Sequence, residues 1–172
     1  ISWLDKIKSD AQAIFFLGDL FDFWFEYKTV VPKGFTRLFG KLAELSDSGI
    51  DLFFFVGNHD YWMKNYLEDE IGFKVFKNSC EFKIDDNNLL IGHGDGLGPG
   101  DIKYKFLKLL FRSSILRKLF SFIHPDIGIS LGRFFSDNNK ILSGNNSPFE
   151  TKEKEMLYTC LLYTSDAADE EL

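Results

Sequence analysis

Three short stretches of the chain place metal-capable or proton-bearing side chains directly after a glycine: Gly18-Asp19-Leu20-Phe21-Asp22, Gly57-Asn58-His59-Asp60 and Gly92-His93-Gly94-Asp95-Gly96. In the first, glycine lets the backbone turn sharply, and Asp19 follows with two carboxylate oxygens that can each hold a hard or borderline cation. The same residues also suit an Asx turn or a helix N-cap. In the second, Asn58 offers a neutral carbonyl oxygen usable by Mn²⁺-type ions. His59 offers an imidazole that can donate a proton or hold a phosphoryl oxygen. The competing reading is a polar loop in which Asn58 or Asp60 caps the next helix. In the third, His93 lies between glycines, with little packing to do and freedom to face a ligand such as Zn, Fe or Mn. Asp95 is placed to accept a hydrogen bond that orients an imidazole.

Such residues need rigid supports. Ala13–Leu17 and Leu52–Val56 are short apolar runs that stop at Gly18 and Gly57, which predicts buried strands rather than helices. Ser2–Ser9 reads as a helix. Phe35–Ser46 carries Phe35, Leu38, Phe39, Leu42 and Leu45 at helical spacing, with Gly49 close behind as a stop. Tyr61–Ile71 is expected to be a short helix. Cys80–Ile84 and Leu89–Ile91 are expected to pair as a hairpin around a turn at Asp85–Asn88. Strand, helix, strand, helix, hairpin is an α/β order, and in open α/β sheets ligands bind at the carboxyl ends of the strands. All three chemical stretches fall at such ends.

Composition sets the outer bounds. Across 172 residues, 45% hydrophobic and 17% aromatic, with 20 Phe, the chain can bury a core and is not predominantly disordered. No apolar run approaches the roughly 18 residues of a membrane span, and no stretch reads as a signal peptide, so the cytosol is the expected compartment. Cys80 and Cys160 form no disulfide framework or zinc knuckle and read as ordinary thiols. The sequence opens at Ile1 rather than Met, and residues 160–170, CLLYTSDAADE, resemble a translated sequencing adapter. Residues 160–172 are therefore expected to be a non-native tail behind a domain of residues 1–159. That tail holds four acids and no base, which accounts for most of the net charge of -6.

Asp, then Asn-His, then His, each just after a strand, is the ligand order of the calcineurin-like metallophosphoesterases, and over roughly Ala11 to Gly96 the chain resembles that family. The stretches GDLFDFWFEYKTVVPKGFTR, GNHDYW and GHGDGLGPGD narrow the resemblance to the UDP-2,3-diacylglucosamine pyrophosphatases of lipid A biosynthesis. The resemblance implies an α/β fold with four layers, α/β/β/α, and a helical insertion at about residues 102–138. It implies two divalent metal ions, Mn²⁺ foremost with Fe or Zn possible, held by Asp19 as the bridging carboxylate and by Asn58 and His93. His59 would lie beside the scissile phosphate, with Asp22, Asp60 and Asp95 behind the ligands. The implied reaction is hydrolysis of the pyrophosphate of UDP-2,3-diacylglucosamine to UMP and 2,3-diacylglucosamine 1-phosphate. The family also has an Asp-x-His before the first Gly-Asp and a late Gly-His-x-His, both absent from this sequence. Truncation at both ends is the expected reason, and the chain alone would then not assemble both metal sites.

Residues 102–133 hold seven bases against one acid, Asp126. Lys105, Lys108 and Arg112 share one helical face, while Phe106, Leu107, Leu110 and Phe111 lie round the other side. Such a helix can rest on an anionic membrane surface or wall an acyl groove. It can equally be an ordinary amphipathic helix with solvated lysines. The expected partners are a lipid-linked nucleotide sugar and the inner membrane surface, with the protein cytoplasmic and peripheral and with no nucleic acid bound. A soluble phosphodiesterase or phosphatase of the same superfamily, and a non-catalytic scaffold, are the alternatives.

Overall fold

The computed structural model describes residues 1–95 and 102–142; Gly96–Asp101 and everything after residue 142, the 160–172 tail included, lie outside the described residues. Its centre is a parallel sheet of β1 (Ala13–Phe16), β2 (Asp51–Phe55) and β3 (Phe73–Phe76), in that order. Ala13 pairs with Asp51, and Leu52 with Phe73. Helix α1 (Ser2–Ile7) leads into β1, and α2 (Thr36–Asp47) crosses from β1 to β2. Strand side chains alternate between two faces. Ile14, Leu52, Phe54 and Phe73 therefore share a buried face and a core with Phe39, Leu42 and Leu45 of α2. The α/β architecture agrees with the reading from sequence.

The opposite face carries Phe15, Phe53, Phe55 and Phe76. Phe15 stacks on Phe53 at 4.6 Å, and Phe55 on Phe76 at 5.2 Å. A hairpin of β4 (Cys80–Ile84) and β5 (Asn87–Ile91) packs there, not beside the parallel strands. Its anchor is Phe82, whose ring meets all four phenylalanines edge-on at 5.2–6.0 Å. The described residues thus form a helical layer, a parallel sheet and a small second sheet.

Three expectations need correction. The hairpin turns on two residues, Asp85 and Asp86, because Asp85 adopts a left-handed φ of 53° and lets Asn87 and Asn88 join β5. Tyr61–Ile71 is not one helix: Trp62 bridges to Phe25, and only Leu67–Ile71 closes a single π-helical turn. Trp62 is held out of a helix by burial among Phe23, Phe25, Phe111 and Phe120 and by its indole N–H, which donates to the Phe111 carbonyl at 2.6 Å. Strand β3 was not foreseen; Gly72, with φ 88°, ends the π turn and releases Phe73–Phe76 into the sheet.

Helices α3 (Ile102–Arg112), α4 (Ser114–Phe120) and α5 (Pro125–Leu142) make up the expected helical segment. They meet the sheet domain through an aromatic cluster in which Phe120 contacts Phe23, Phe25 and Trp62 at 4.8–6.0 Å. None of the described helices is long and apolar enough to cross a membrane.

Phe82 is the hairpin's main hold on the sheet. Phe82→Ala should therefore lower the unfolding free energy by about 2–4 kcal/mol, somewhat less than a fully buried Phe would cost. Leu90→Ala, on the exposed side of β5, should change it by less than about 0.5 kcal/mol. Urea denaturation of the two variants checks both values.

Candidate active site at the strand ends

Parallel neighbours deliver their following loops to the same edge of the sheet, so the turns after β1 and β2 lie side by side. After β1 the chain reverses through Gly18, at φ 89°, and Asp19, at φ 52°. Asp19 is a non-glycine residue in the left-handed region, a form of backbone strain that clusters at functional sites. Gly57 follows β2. A Cβ on Gly18 would strike the His93 ring and the Gly57 backbone, and one on Gly57 would strike the Asp19 carboxylate. Both glycines are therefore required for the approach of the two loops.

Asp60 joins them. Its fully buried carboxylate accepts from the Gly57 N–H at 2.6 Å and from the Leu20 N–H at 3.2 Å, one bond to each loop. Burial pushes its pKa up to about 6, helped by the nearby Asp19 charge and opposed by the two N–H groups.

The expected ligands converge. Asp19 Oδ1 accepts from the His59 N–H at 3.1 Å, while its Oδ2 lies 3.5 Å from His93 Nε2. His93 Nε2 is also 3.3 Å from Asn58 Oδ1, and its Nδ1 is 2.6 Å from the Leu17 carbonyl. A carbonyl can only accept, so Nδ1 carries a proton there, and Nε2 is the ring atom turned toward the two oxygens. One nitrogen and two oxygens close to one another are a donor set that fits a divalent cation. Asp19, Asn58 and His93 are the residues that would hold it. The orienting acceptor for His93 is the Leu17 carbonyl. Asp95, expected in that role, engages Lys108 of α3, whose ammonium lies 2.7 Å from both its carboxylate and its carbonyl.

His59 is fixed from two sides. Its carbonyl accepts from the Trp24 N–H at 3.1 Å, and its Nδ1 lies 2.9 Å from the Asp22 carbonyl. Asp22 thus acts on His59 through its backbone. A third contact was not foreseen: Ser136 Oγ of α5 is 3.1 Å from the same Nδ1. The signal for it was the four-residue spacing of Gly128, Gly132 and Ser136. Also unforeseen is Glu26, buried, which accepts from the Trp24 indole at 3.1 Å and the Tyr66 N–H at 3.3 Å.

Asn58, His59, Asp22 and Asp95 line a cavity of about 390 Å³ whose other walls are chiefly aromatic, among them Phe23, Trp62, Phe111, Phe120 and Phe135. Lys108 and Arg112 border it as well, and the Arg112 guanidinium lies 5.1 Å from the centre of the Tyr61 ring. Lys105 is half-buried on α3. The basic face of α3 is therefore turned toward the body of the protein. Its apolar members Phe106 and Leu109 are 63% and 68% exposed.

The chain belongs to the calcineurin-like phosphoesterase family, whose model matches residues 1–155 and so takes in the sheet and the loops that gather Asp19, Asn58, His59 and His93. Work with divalent metal ions is implied by that membership. Among its relatives is the UDP-2,3-diacylglucosamine hydrolase of Porphyromonas gingivalis, 41% identical over 134 residues, which are 76% of this chain and 51% of that protein. The hydrolases of the same name from Neisseria gonorrhoeae and Haemophilus influenzae are 32% and 21% identical. They cover 64% and 99% of this chain, and 45% and 69% of their own lengths. The chain spans about half the length of the Porphyromonas relative.

The buried Asp60 carries a pH consequence for the metal-free protein. A folded pKa of about 6 against an ordinary 3.8 means the folded state binds that proton more readily than the unfolded chain. Its contribution to stability is therefore full below 3.8 and is lost as the pH rises through about 6. Asp60→Asn cannot titrate. In urea denaturation with chelator present, the variant should lack the decline in stability that wild type shows across that interval.

Proposed function

We propose that this chain carries the front half of a UDP-2,3-diacylglucosamine pyrophosphatase, which hydrolyses its substrate to UMP and 2,3-diacylglucosamine 1-phosphate in lipid A biosynthesis. The carrying observation is the junction of two unlike environments: the Asp19, Asn58 and His93 donors adjoin an aromatic cavity bordered by Lys108 and Arg112. Phosphate chemistry next to an apolar hollow suits a substrate with a charged diphosphate and acyl chains.

Asp19, Asn58 and His93 would hold the metal, with the two carboxylate oxygens of Asp19 available to more than one ion. Two divalent ions, Mn²⁺ the best match to these donors with Fe or Zn also compatible, supply Lewis acidity toward the phosphate and toward water. Among the protein's own groups, His59 keeps Nδ1 against the Asp22 carbonyl, which turns Nε2 outward; carrying a proton as well, Nε2 donates to the phosphate and offsets the charge that develops there. Arg112 and Lys108 offset the charge of the diphosphate, and the surrounding rings exclude bulk water. Water is the only other reactant, and no covalent enzyme intermediate is needed. The domain is residues 1–159, and residues 160–172 are not part of it.

The same reading makes the protein cytoplasmic and peripheral on the inner membrane. Its support is the outward apolar surface of the helical layer, where Ile115 and Phe122 are 71% and 78% exposed and join Phe106 and Leu109. Large exposed apolar patches on soluble domains mark interaction surfaces.

Mn²⁺-dependent release of UMP from UDP-2,3-diacylglucosamine, by a version extended at both ends to the length of its relatives, tests the assignment. Asp19→Ala and His93→Ala should each lower turnover by roughly a hundredfold or more. A wild type that binds Mn²⁺ yet leaves this substrate intact would remove the lipid assignment. Sedimentation with vesicles containing anionic phospholipid tests the membrane reading. Leu109→Asp combined with Phe122→Asp should cut the bound fraction by roughly tenfold or more; unchanged binding would exclude this surface.

A further inference from the structure

Helix α5 approaches the site along a face with almost no side chain on it. Gly128, Gly132 and Ser136 recur every fourth residue and so line one face of the helix. A Cβ at Gly128 would run into the Tyr27 hydroxyl, and one at Gly132 into the Phe23 ring. The helix backbone therefore rests directly on Phe23 and Tyr27, in the segment that follows the Asp19 turn. One turn beyond Gly132, the face ends in Ser136, 5% exposed, with Oγ 3.1 Å from His59 Nδ1.

That nitrogen has two acceptors from different parts of the chain, the Ser136 hydroxyl and the Asp22 carbonyl at 2.9 Å. One acceptor fixes the direction of an N–H but leaves the ring free to swing about it. Two, from a loop and from a helix, define the ring plane as well. We propose that Ser136 is a positioning residue for His59: α5 delivers a hydroxyl that, with the Asp22 carbonyl, fixes the plane of the imidazole and aims Nε2 at the phosphate. This rests on the proposed function for the role of His59. It adds that the imidazole is set for reaction only while α5 is seated on Phe23.

The test uses the extended protein labelled with ¹⁵N-histidine, in which two-bond ¹H–¹⁵N correlations report the tautomer of each ring. The His59 signals are assigned by their loss in His59→Gln. In wild type His59 should show a single set of ring signals with Nδ1 protonated. Ser136→Ala should shift and broaden the His59 ring signals, as the ring swings about its remaining bond to Asp22, with the His93 signals unchanged, and Ser136→Thr, which keeps the hydroxyl, should restore the wild-type signals. Gly132→Val, which forces α5 off the Phe23 ring, should reproduce the alanine pattern. In turnover, Ser136→Ala should lower kcat on the order of tenfold with KM within about twofold, and the threonine variant should recover most of it. An alanine variant with wild-type His59 signals, or with altered signals and unchanged kcat, overturns the proposal, as does a change that spreads equally to His93. If wild type fails to turn over the lipid nucleotide, the proposed function falls, and the comparison of His59 ring signals alone decides the role of Ser136.

Discussion

Neighbouring strands of a sheet run about 4.8 Å apart, and the site depends on bringing their two loops closer than side chains allow. Gly18 and Gly57 make that approach possible, and the Asp60 carboxylate makes it hold by accepting one N–H from each side. Every donor at the site inherits its position from this junction. Asp19 is left in a left-handed backbone conformation beside Gly57, Asn58 and His59 follow Gly57 directly, and His93 fits only because Gly18 has no side chain. The carboxylate is costly to bury, as its raised pKa records, yet leaving two backbone N–H groups buried and unpaired would be costly too.

Around that junction the protein is assembled largely from rings. Phe21 and Trp24 pack with Phe35 and Phe39 beneath the first loop, and Phe82 wedges the hairpin onto the sheet. Trp62 and Phe120 join the helical layer to the rest. Aromatic pairs contribute area and a preferred edge-to-face geometry. One consequence is orientation: the rings that hold the helical layer in place are also the walls of the cavity beside His59.

What could be read from the sequence was what local chemistry dictates. Gly18-Asp19, Gly57-Asn58-His59 and Gly92-His93 were visible as turns that bring polar donors to strand ends, because a short apolar run that stops at glycine reads as a buried strand. Strands β1 and β2 and helix α2 announced themselves by length and spacing. What escaped was decided by tertiary contact. Trp62 lies in a run with helical character but is claimed by an aromatic cluster and by the Phe111 carbonyl. Lys108 was read as a candidate for contact with lipid or as a solvated lysine, and only the fold brings Asp95 to it. The acceptor for His93 is a backbone carbonyl, Leu17, and no residue type encodes that. Ser136 and His59 are far apart in the chain and meet only because α5 presents glycines to Phe23.

The Asp95–Lys108 pair has a further consequence. Asp95 is two residues from His93, and Lys108 belongs to α3, so the pair couples the histidine turn to the helical layer. Coupling of this kind is reciprocal. Whatever orders α3 restricts His93, and whatever grips His93 makes α3 harder to lift. A load on the histidine turn and a load on α3 are then shared through a single ion pair, and each is felt at the other end.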